Sequence, residues 1–325
     1  MKIGITGAAG FIGKAIAARA LAAGDEVFGI DLAERAGGPF DAPGASYARG
    51  DVTDLDRMRA FCRGLDRVYH TAAIVKEGGE WSGFFRVNVL GADNVAMACK
   101  QGGVRELVHF SSVMVYGFDF EDGVSEEGPL DPANSPYCAT KILSEEAVLR
   151  HHDKGALDVF LIRPGDVYGP GSVPWTIRPV EMMRKRQWVY VDSRRSIFNH
   201  VFIDNLLDGI DRVLAARASG TPFTITDGAR TTSRAFFSHY QRLLGGGFIP
   251  DLPRAWAQPA GAVASGLLRA LGRPGELNSE AVRYMLRRYA YGVGKIRELG
   301  YAPRVGLEEG MDRTTKWLRD EKLVP

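Results

Sequence analysis

The first thirteen residues, Met1-Lys2-Ile3-Gly4-Ile5-Thr6-Gly7-Ala8-Ala9-Gly10-Phe11-Ile12-Gly13, constrain this chain more than any other stretch. A short β-branched run leads into glycines at every third position, and an Ala-rich run with helical spacing, Lys14 to Ala23, follows. Strand, glycine turn and helix in that order make a place for a pyrophosphate. The turn brings bare backbone N–H groups to the phosphates, and the helix N-terminus adds roughly half a positive charge. The spacing is G-x-x-G-x-x-G rather than the G-x-G-x-x-G of the best-known dinucleotide fold. Such glycines also occur in ordinary strand-to-helix turns, so the reading depends on what comes next. Gly24-Asp25-Glu26 reads as a turn, Val27 to Ile30 as a second strand, and Asp31 ends it. An acid about twenty positions after the glycines is where a ribose 2′-hydroxyl is held. A 2′-phosphate there would meet like charge, worth roughly 1–4 kcal/mol near a surface, so NAD is favoured over NADP. Arg35 nearby pulls the other way.

The next segments alternate strand and helix. Ala45 to Arg49 is a weak strand, Thr53 or Asp54 caps a helix through Phe61, and Arg67 to His70 is a strand. A long helix is expected from about Trp81 to Gln101, then a strand at Leu107–Phe110 and another at Asp158–Ile162. This rhythm predicts an α/β fold with a parallel, doubly wound, Rossmann-like sheet and right-handed connections. Ligands of such sheets bind beyond the strand C-terminal ends. Asp51-Val52 follows the third strand, and the small residues Thr71-Ala72-Ala73 follow the fourth. Asp51 is placed to accept from an adenine amino group, and the small side chains let a dinucleotide lie against the backbone. A turn residue and tight packing are the plainer readings of the same positions.

After the fifth strand come Ser111-Ser112-Val113-Met114 and a polar, Gly-containing loop to Asn134. Ser135 caps a helix, Pro136 suits its first turn, and the helix runs to about His151. Tyr137 and Lys141 then lie one turn apart on one face. A free phenol, with a pKa of about 10, is a poor base at neutral pH. The Lys141 ammonium and a positively charged nicotinamide ring favour the phenolate. Tyr137 is thus the candidate general base and acid, Ser112 the group that orients the substrate oxygen, and Lys141 the holder of the nicotinamide ribose. Asn88 on the long helix is placed to support a polar relay behind Lys141, or only to pack.

Beyond residue 170 the rhythm loosens. Residues 1–170 read as the dinucleotide-binding domain and 171–325 as a smaller substrate lobe, with about 198–230 returning to the main domain. Expected elements are helices from Pro174 to Arg186, from Asp204 to Ala216, from Thr232 to Leu244 and from Leu307 to Leu318. Phe198–Ile203 and Pro222–Ile225 read as extended. The stretch Pro250–Pro274 has two readings, an apolar lid touching a membrane surface or packing of the lobe. The net charge of +2 implies no nucleic-acid partner. Cys62, Cys99 and Cys138 show no metal-type spacing and suit a reducing compartment. No apolar run reaches the roughly 18 residues of a bilayer span. Cytoplasm is the expected setting, and no metal is expected.

These motifs together resemble the extended short-chain dehydrogenase/reductases, the epimerase/dehydratase superfamily. They are Thr6 to Gly13, Asp31, Asp51-Val52, His70 to Ala73, Asn88, Ser111-Ser112, Tyr137 to Lys141 and Arg163-Pro164-Gly165. The resemblance implies NAD contacts from Gly7, Gly10, Phe11, Ile12, Gly13, Asp31, Asp51, Val52, Thr71, Ala72, Ala73, Asn88, Tyr137, Lys141, Pro164, Gly165 and Val167. It implies catalysis by Ser112, Tyr137 and Lys141, and a homodimer through the helices at 81–101 and 137–151. Nucleotide-sugar members often carry Asn where this chain has Asp166, and dehydratases carry acids where it has Val113 and Met114. A carboxylate at 166 is a poor partner for a diphosphate. Arg163-Pro164, Tyr168 to Ser172, Asn199 to Asn205 and Lys295 to Trp317 resemble the 3β-hydroxysteroid and sterol-4-carboxylate dehydrogenases. The resemblance implies a hydrophobic, steroid-like secondary alcohol as substrate. The alternatives are a nucleotide-sugar 4-epimerase and a non-catalytic NAD-binding regulator.

Overall fold

The computed structural model describes residues 1–76, 78–257, 259 and 279–324. Most of the Pro250–Pro274 stretch, namely 258 and 260–274, lies outside them. The chain divides into two compact units.

The first unit comprises Met1–Gly117, Pro129–Pro164 and Leu207–Phe223. Its sheet is built from β1 (Lys2–Thr6), β2 (Glu26–Asp31), β3 (Ala45–Arg49), β4 (Arg67–His70), β5 (Glu106–Phe110) and β6 (Asp158–Pro164). The order is β6-β5-β4-β1-β2-β3, with Pro222–Ile225 flanking β6 as a seventh strand. β1 pairs in parallel with β2 on one side and β4 on the other. Strand order therefore reverses at β1, and the connections leaving it diverge to make the ligand crevice of a doubly wound sheet. β5 and β6 are buried along their whole length, as a sheet covered on both faces requires.

Four helices of this unit position the site. They are α1 (Phe11–Ala22), α2 (Leu55–Cys62), α3 over 81–102 and α4 (Pro136–Leu149). Asp54 caps α2 by accepting from the Arg57 amide at 3.0 Å, and Ser135 caps α4 by accepting from the Cys138 amide at 3.4 Å. α3 is α-helical at Trp81–Phe84 and Gly91–Gly102 and π-helical at Phe85–Leu90, an irregularity the apolar spacing does not announce. Under α2, α3 and α4 lies an apolar core that includes Met58, Val95, Cys99, Leu107, Val148 and Val159.

The second unit comprises Phe118–Gly128, Gly165–Leu206 and Thr224–Pro325. It carries two parallel strand pairs, Asp166–Tyr168 with His200–Phe202 and Tyr190–Val191 with Asp251–Leu252. Its core is aromatic. Phe236 packs edge-on to Tyr168 at 5.0 Å, and Phe198 lies 4.3 Å from Phe236. The helix Ser233–Leu243 is capped by Thr232, which accepts from the Ala235 amide at 3.1 Å. Asp204 falls inside the helix Ile203–Ala215 rather than ahead of it, and its carboxylate pairs with Arg313 at 3.0 Å. No helix among the described residues is long and apolar enough to cross a membrane.

Candidate active site

The glycine turn has the shape its spacing predicts. Gly7 sits at φ +71°, and a Cβ there would lie 2.7 Å from the Ala72 amide nitrogen. A Cβ on Gly13 would lie 2.4 Å from the Gly7 carbonyl oxygen. Neither position has room for a side chain, so the backbone itself forms a bare cradle at the N-terminus of α1. Gly10 caps α1 without a side-chain hydrogen bond, leaving the N–H groups of that first turn for a ligand.

Asp31 sits at the end of β2 beside this turn. Its carboxylate accepts from the Ala9 amide at 3.1 Å and the Ala33 amide at 3.2 Å, which fixes its direction. Thr71 donates its hydroxyl to the Thr6 carbonyl at 2.8 Å, which draws the segment Thr71-Ala72-Ala73 over the turn. Asp51 accepts from the Thr53 amide at 2.9 Å with one carboxylate oxygen, and Val52 is packed against Gly91 of α3. Gly7, Gly10, Gly13, Asp31, Thr71 and Ala72 thus share one end of the sheet. A cradle without Cβ atoms and an oriented acid beside it fit the pyrophosphate and adenosine ribose of NAD.

Asn88 is buried, and its carboxamide is spent inside the protein. The oxygen accepts from the Ile74 amide at 2.7 Å, while the nitrogen donates to the Ile74 carbonyl and the Thr140 hydroxyl, both at 3.2 Å. It pins the loop after β4 to α4 rather than pointing a free amide outward. Pro164 closes β6 in the first unit, whereas Gly165 and Val167 belong to the second. A Cβ on Gly165 would lie 2.4 Å from the Asn199 carbonyl oxygen, and Val167 pairs with Val201 in the short parallel sheet. Close packing within the second unit is a sufficient reason for both residues.

Ser112, Tyr137 and Lys141 all lie in the first unit. Ser112 is buried and accepts from the Met114 amide at 3.1 Å, capping a 3-10 turn at Val113–Tyr116 that packs on α4. That bond uses an oxygen lone pair and leaves the hydroxyl proton to donate. Tyr137 is half-buried on the first turn of α4, with Lys141 one turn on. Lys141 is buried, and its ammonium donates to the Phe110 carbonyl at 2.6 Å. Burial pulls its pKa down to about 8, against the opposing pull of the Glu145 carboxylate.

Beneath Lys141, His70 and His109 stack with ring centroids 5.3 Å apart. The Ser144 hydroxyl donates to the Lys141 carbonyl at 2.8 Å, so it accepts from Nε2 of His109 at 3.0 Å. That fixes the neutral tautomer of His109 with the proton on Nε2. Burial first, then the Lys141 charge, push the pKa of His70 down to about 3. Burial, with His70 and Lys141, lowers that of His109 as well.

Three features go beyond the expected roles, two in the first unit and one in the second. Arg163 makes a bidentate pair with Glu145, at 2.8 and 2.7 Å, and also donates to the Tyr116 hydroxyl at 2.8 Å. Glu145 stands one turn after Lys141, a spacing readable on a helix. The stacked histidines lie on neighbouring strands, visible only once β4 and β5 are paired. In the second unit Asp166 is buried and held by Arg287 at 2.9 Å and by the Tyr284 hydroxyl. The charge at Asp166 is therefore compensated, which removes simple repulsion as an argument against a diphosphate.

The chain matches the model of the NAD dependent epimerase/dehydratase family over residues 3–226. It belongs to that family. A 2-alkyl-3-oxoalkanoate reductase of Stenotrophomonas maltophilia is 27% identical, with 96% of this chain and 98% of that protein covered. A decarboxylating sterol-4-alpha-carboxylate 3-dehydrogenase of Bos taurus is 30% identical over 65% of this chain and 59% of the relative. Among solved structures, a dTDP-glucose 4,6-dehydratase from Streptomyces venezuelae with NAD bound matches at a TM-score of 0.77 and 27% identity, covering 99% and 98% of the two chains. The sheet is the NAD-binding fold of this superfamily, and NAD is its cofactor.

Proposed function

We propose that this chain is an NAD-dependent dehydrogenase or reductase acting on a secondary alcohol or ketone of a hydrophobic, steroid-like molecule. The observation that carries the substrate class is the Asp166–Arg287 pair. Both side chains are buried and committed to each other and to tyrosines, so neither is offered to a phosphate. Val113 and Met114 support the same reading. They are buried apolar residues in the turn after Ser112, and they bring no second acid or base for an elimination. The reductase and sterol dehydrogenase relatives, named for alkyl-chain and sterol substrates, agree with it.

NAD, when bound, supplies the hydride acceptor. Tyr137 takes the proton from the substrate hydroxyl as the carbon is oxidised and returns it in reduction. The Lys141 ammonium one turn away favours the phenolate that this requires. Ser112 donates its hydroxyl to the substrate oxygen and sets its angle.

Replacing Tyr137 by Phe is expected to lower kcat by roughly 10²–10⁴-fold while leaving NAD binding, measured by calorimetry, nearly unchanged. Undiminished turnover would remove Tyr137 from this role. For the substrate, the chain is incubated with NAD and a panel of steroid alcohols and nucleotide sugars while NADH absorbance is followed. Release of NADH with a steroid alcohol is the expected outcome. A second reading, a nucleotide-sugar 4-epimerase, draws on the full-length likeness to the dTDP-glucose dehydratase. Epimerisation of a nucleotide sugar without net NADH would favour it.

A further inference from the structure

Lys141 lies among groups from several strands and its own helix. Glu145 on α4, His70 on β4 and His109 on β5 all interact with its charge. The Phe110 carbonyl at the end of β5 holds its ammonium, and Tyr137 precedes it by one turn. Burial keeps the two imidazoles neutral through the working pH range. The carboxylate of Glu145 is then the charged group from this set that acts on the ammonium, and Arg163 on β6 holds both of its oxygens.

Arg163 reaches a third element as well. It donates to the hydroxyl of Tyr116, the last residue of the turn that Ser112 caps, and its guanidinium carbon lies 5.1 Å from that ring's centroid. One buried side chain therefore joins β6, the Ser112 turn and the helix that carries Tyr137 and Lys141. Its fork allows this because a guanidinium is planar and has five donors, a geometry that lysine cannot copy.

We propose that Tyr116, Arg163 and Glu145 form a charge-balanced clamp that sets both the place and the protonation of Lys141. Arg163 and Glu145 are positioning residues, acting on the reaction through Lys141 and the Ser112 turn rather than by touching substrate. The link to catalysis rests on the reading of Ser112, Tyr137 and Lys141 given above, but the clamp itself is testable without it. With Arg163 in place, much of the pull of Glu145 is spent on the guanidinium. Without Arg163 that pull turns to Lys141 and favours its cation. Without Glu145 the ammonium loses its anion and faces the Arg163 cation. The two losses act in opposite directions, which a purely packing role does not produce.

The test uses the full chain, free of NAD, with lysines carrying a ¹³Cε label and Lys141→Met to assign the resonance. Lys141 is expected to titrate near pH 8 in the unsubstituted chain. Glu145→Gln is expected to lower that midpoint by about one pH unit, and Arg163→Met to raise it by a similar amount. The double variant leaves neither charge orphaned and is expected to return close to the starting value. Arg163→Lys keeps a cation but loses the fork. Its midpoint should stay within about half a unit of the starting value, while contact with Tyr116 weakens. Shifts of both single variants in the same direction, or no shift in either, overturn the proposal. Where a single variant fails to fold, the double variant decides, and a midpoint more than about one unit from the starting value counts against the clamp. A Tyr137→Phe chain that still turns over would instead strike at the catalytic reading and leave these titrations standing. If both hold, the alkaline limb of kcat moves in the same order as the midpoints.

Discussion

The two units each bury an arginine against a carboxylate, and the two pairs differ in reach. Arg163 and Arg287 are both nearly inaccessible, and each spends one guanidinium nitrogen on a tyrosine hydroxyl, Tyr116 at 2.8 Å and Tyr291 at 3.1 Å. Arg163 grips both oxygens of Glu145, 18 residues away in sequence. Arg287 bonds one oxygen of Asp166, 121 residues away, and Tyr284 takes the other. The first pair stands one helical turn from Lys141 and bears on proton chemistry. The second closes the aromatic interior of its own unit, where the Arg287 guanidinium lies 3.7 Å from the Tyr284 ring centroid and Trp175 stacks on that ring at 5.2 Å. Burial pushes the Asp166 pKa up while Arg287 holds it down, so this carboxylate depends on its arginine for its charge. The same chemical device tunes a reactive group in one place and staples distant chain in the other.

The strongest way to break this comparison is to remove one arginine at a time. Arg163→Met and Arg287→Met are each expected to cost about 3–5 kcal/mol, since each strands a buried carboxylate. Urea unfolding measures both. Only Arg163→Met is expected to move the titration of Lys141. Equal shifts from Arg287→Met would erase the distinction.

Acid sharpens the contrast at the next level. His70 in the first unit is buried against His109 and bonds Thr6 at 2.7 Å, while His200 in the second is held between Asp227 at 2.9 Å and Thr231 at 2.8 Å. With a folded pKa of about 3 for His70, below the unfolded value near 6.5, the sign is fixed. Above pH 6.5 both states are neutral and the full stability is present. As pH falls toward 3, only the unfolded chain takes up the proton, and stability is lost. The loss is on the order of 2 kcal/mol by pH 5. Unfolding midpoints measured between pH 7 and 5 should show this fall, and His70→Asn should remove the His70 share and leave that of His109, whose pKa burial also lowers. A slope unchanged in that variant would assign the acid sensitivity elsewhere.

The smallest effect concerns the entrance to α4. Ser135→Ala removes its cap and is expected to cost about 1 kcal/mol. Because Tyr137 is on the first turn, kcat should fall more than urea stability suggests. A loss of stability with kcat untouched would show that the first turn is held by packing alone.

Much of the first unit was legible in advance because its signals are local. The glycines, Asp31 and the segment after β4 each sit at a strand end, and parallel pairing through β1 gathers them without further information. Tyr137 and Lys141 follow from helical spacing. The 3-10 turn at Val113–Tyr116 was not visible, since Ser111 to Gly117 lacks a helical period and is shaped by the Ser112 cap. Asp166 was legible only in part, for a physical reason. A lone carboxylate in a loop suggests repulsion of anions, and its partner Arg287 is too distant in sequence for any spacing rule to find. The role of Asn88 was half-visible, because its helical position was plain but Ile74 and Thr140 as its partners were not.

The π turn in α3 has a consequence for how this helix tolerates change. Each residue of an α-helix turns the chain by about 100°. Leu90 is exposed at the end of the π turn, and that turn holds one residue more than an α turn, so a one-residue deletion there can be absorbed by closing it to α-helix without rotating Trp81–Phe84 against Gly91–Gly102. The residue such a deletion would test is Asn88, which lies inside the π turn and bonds both Ile74 and Thr140. Substitutions at the exposed Leu90 are therefore cheap, and the π turn is the place where this helix can give up a residue and keep its two ends in register.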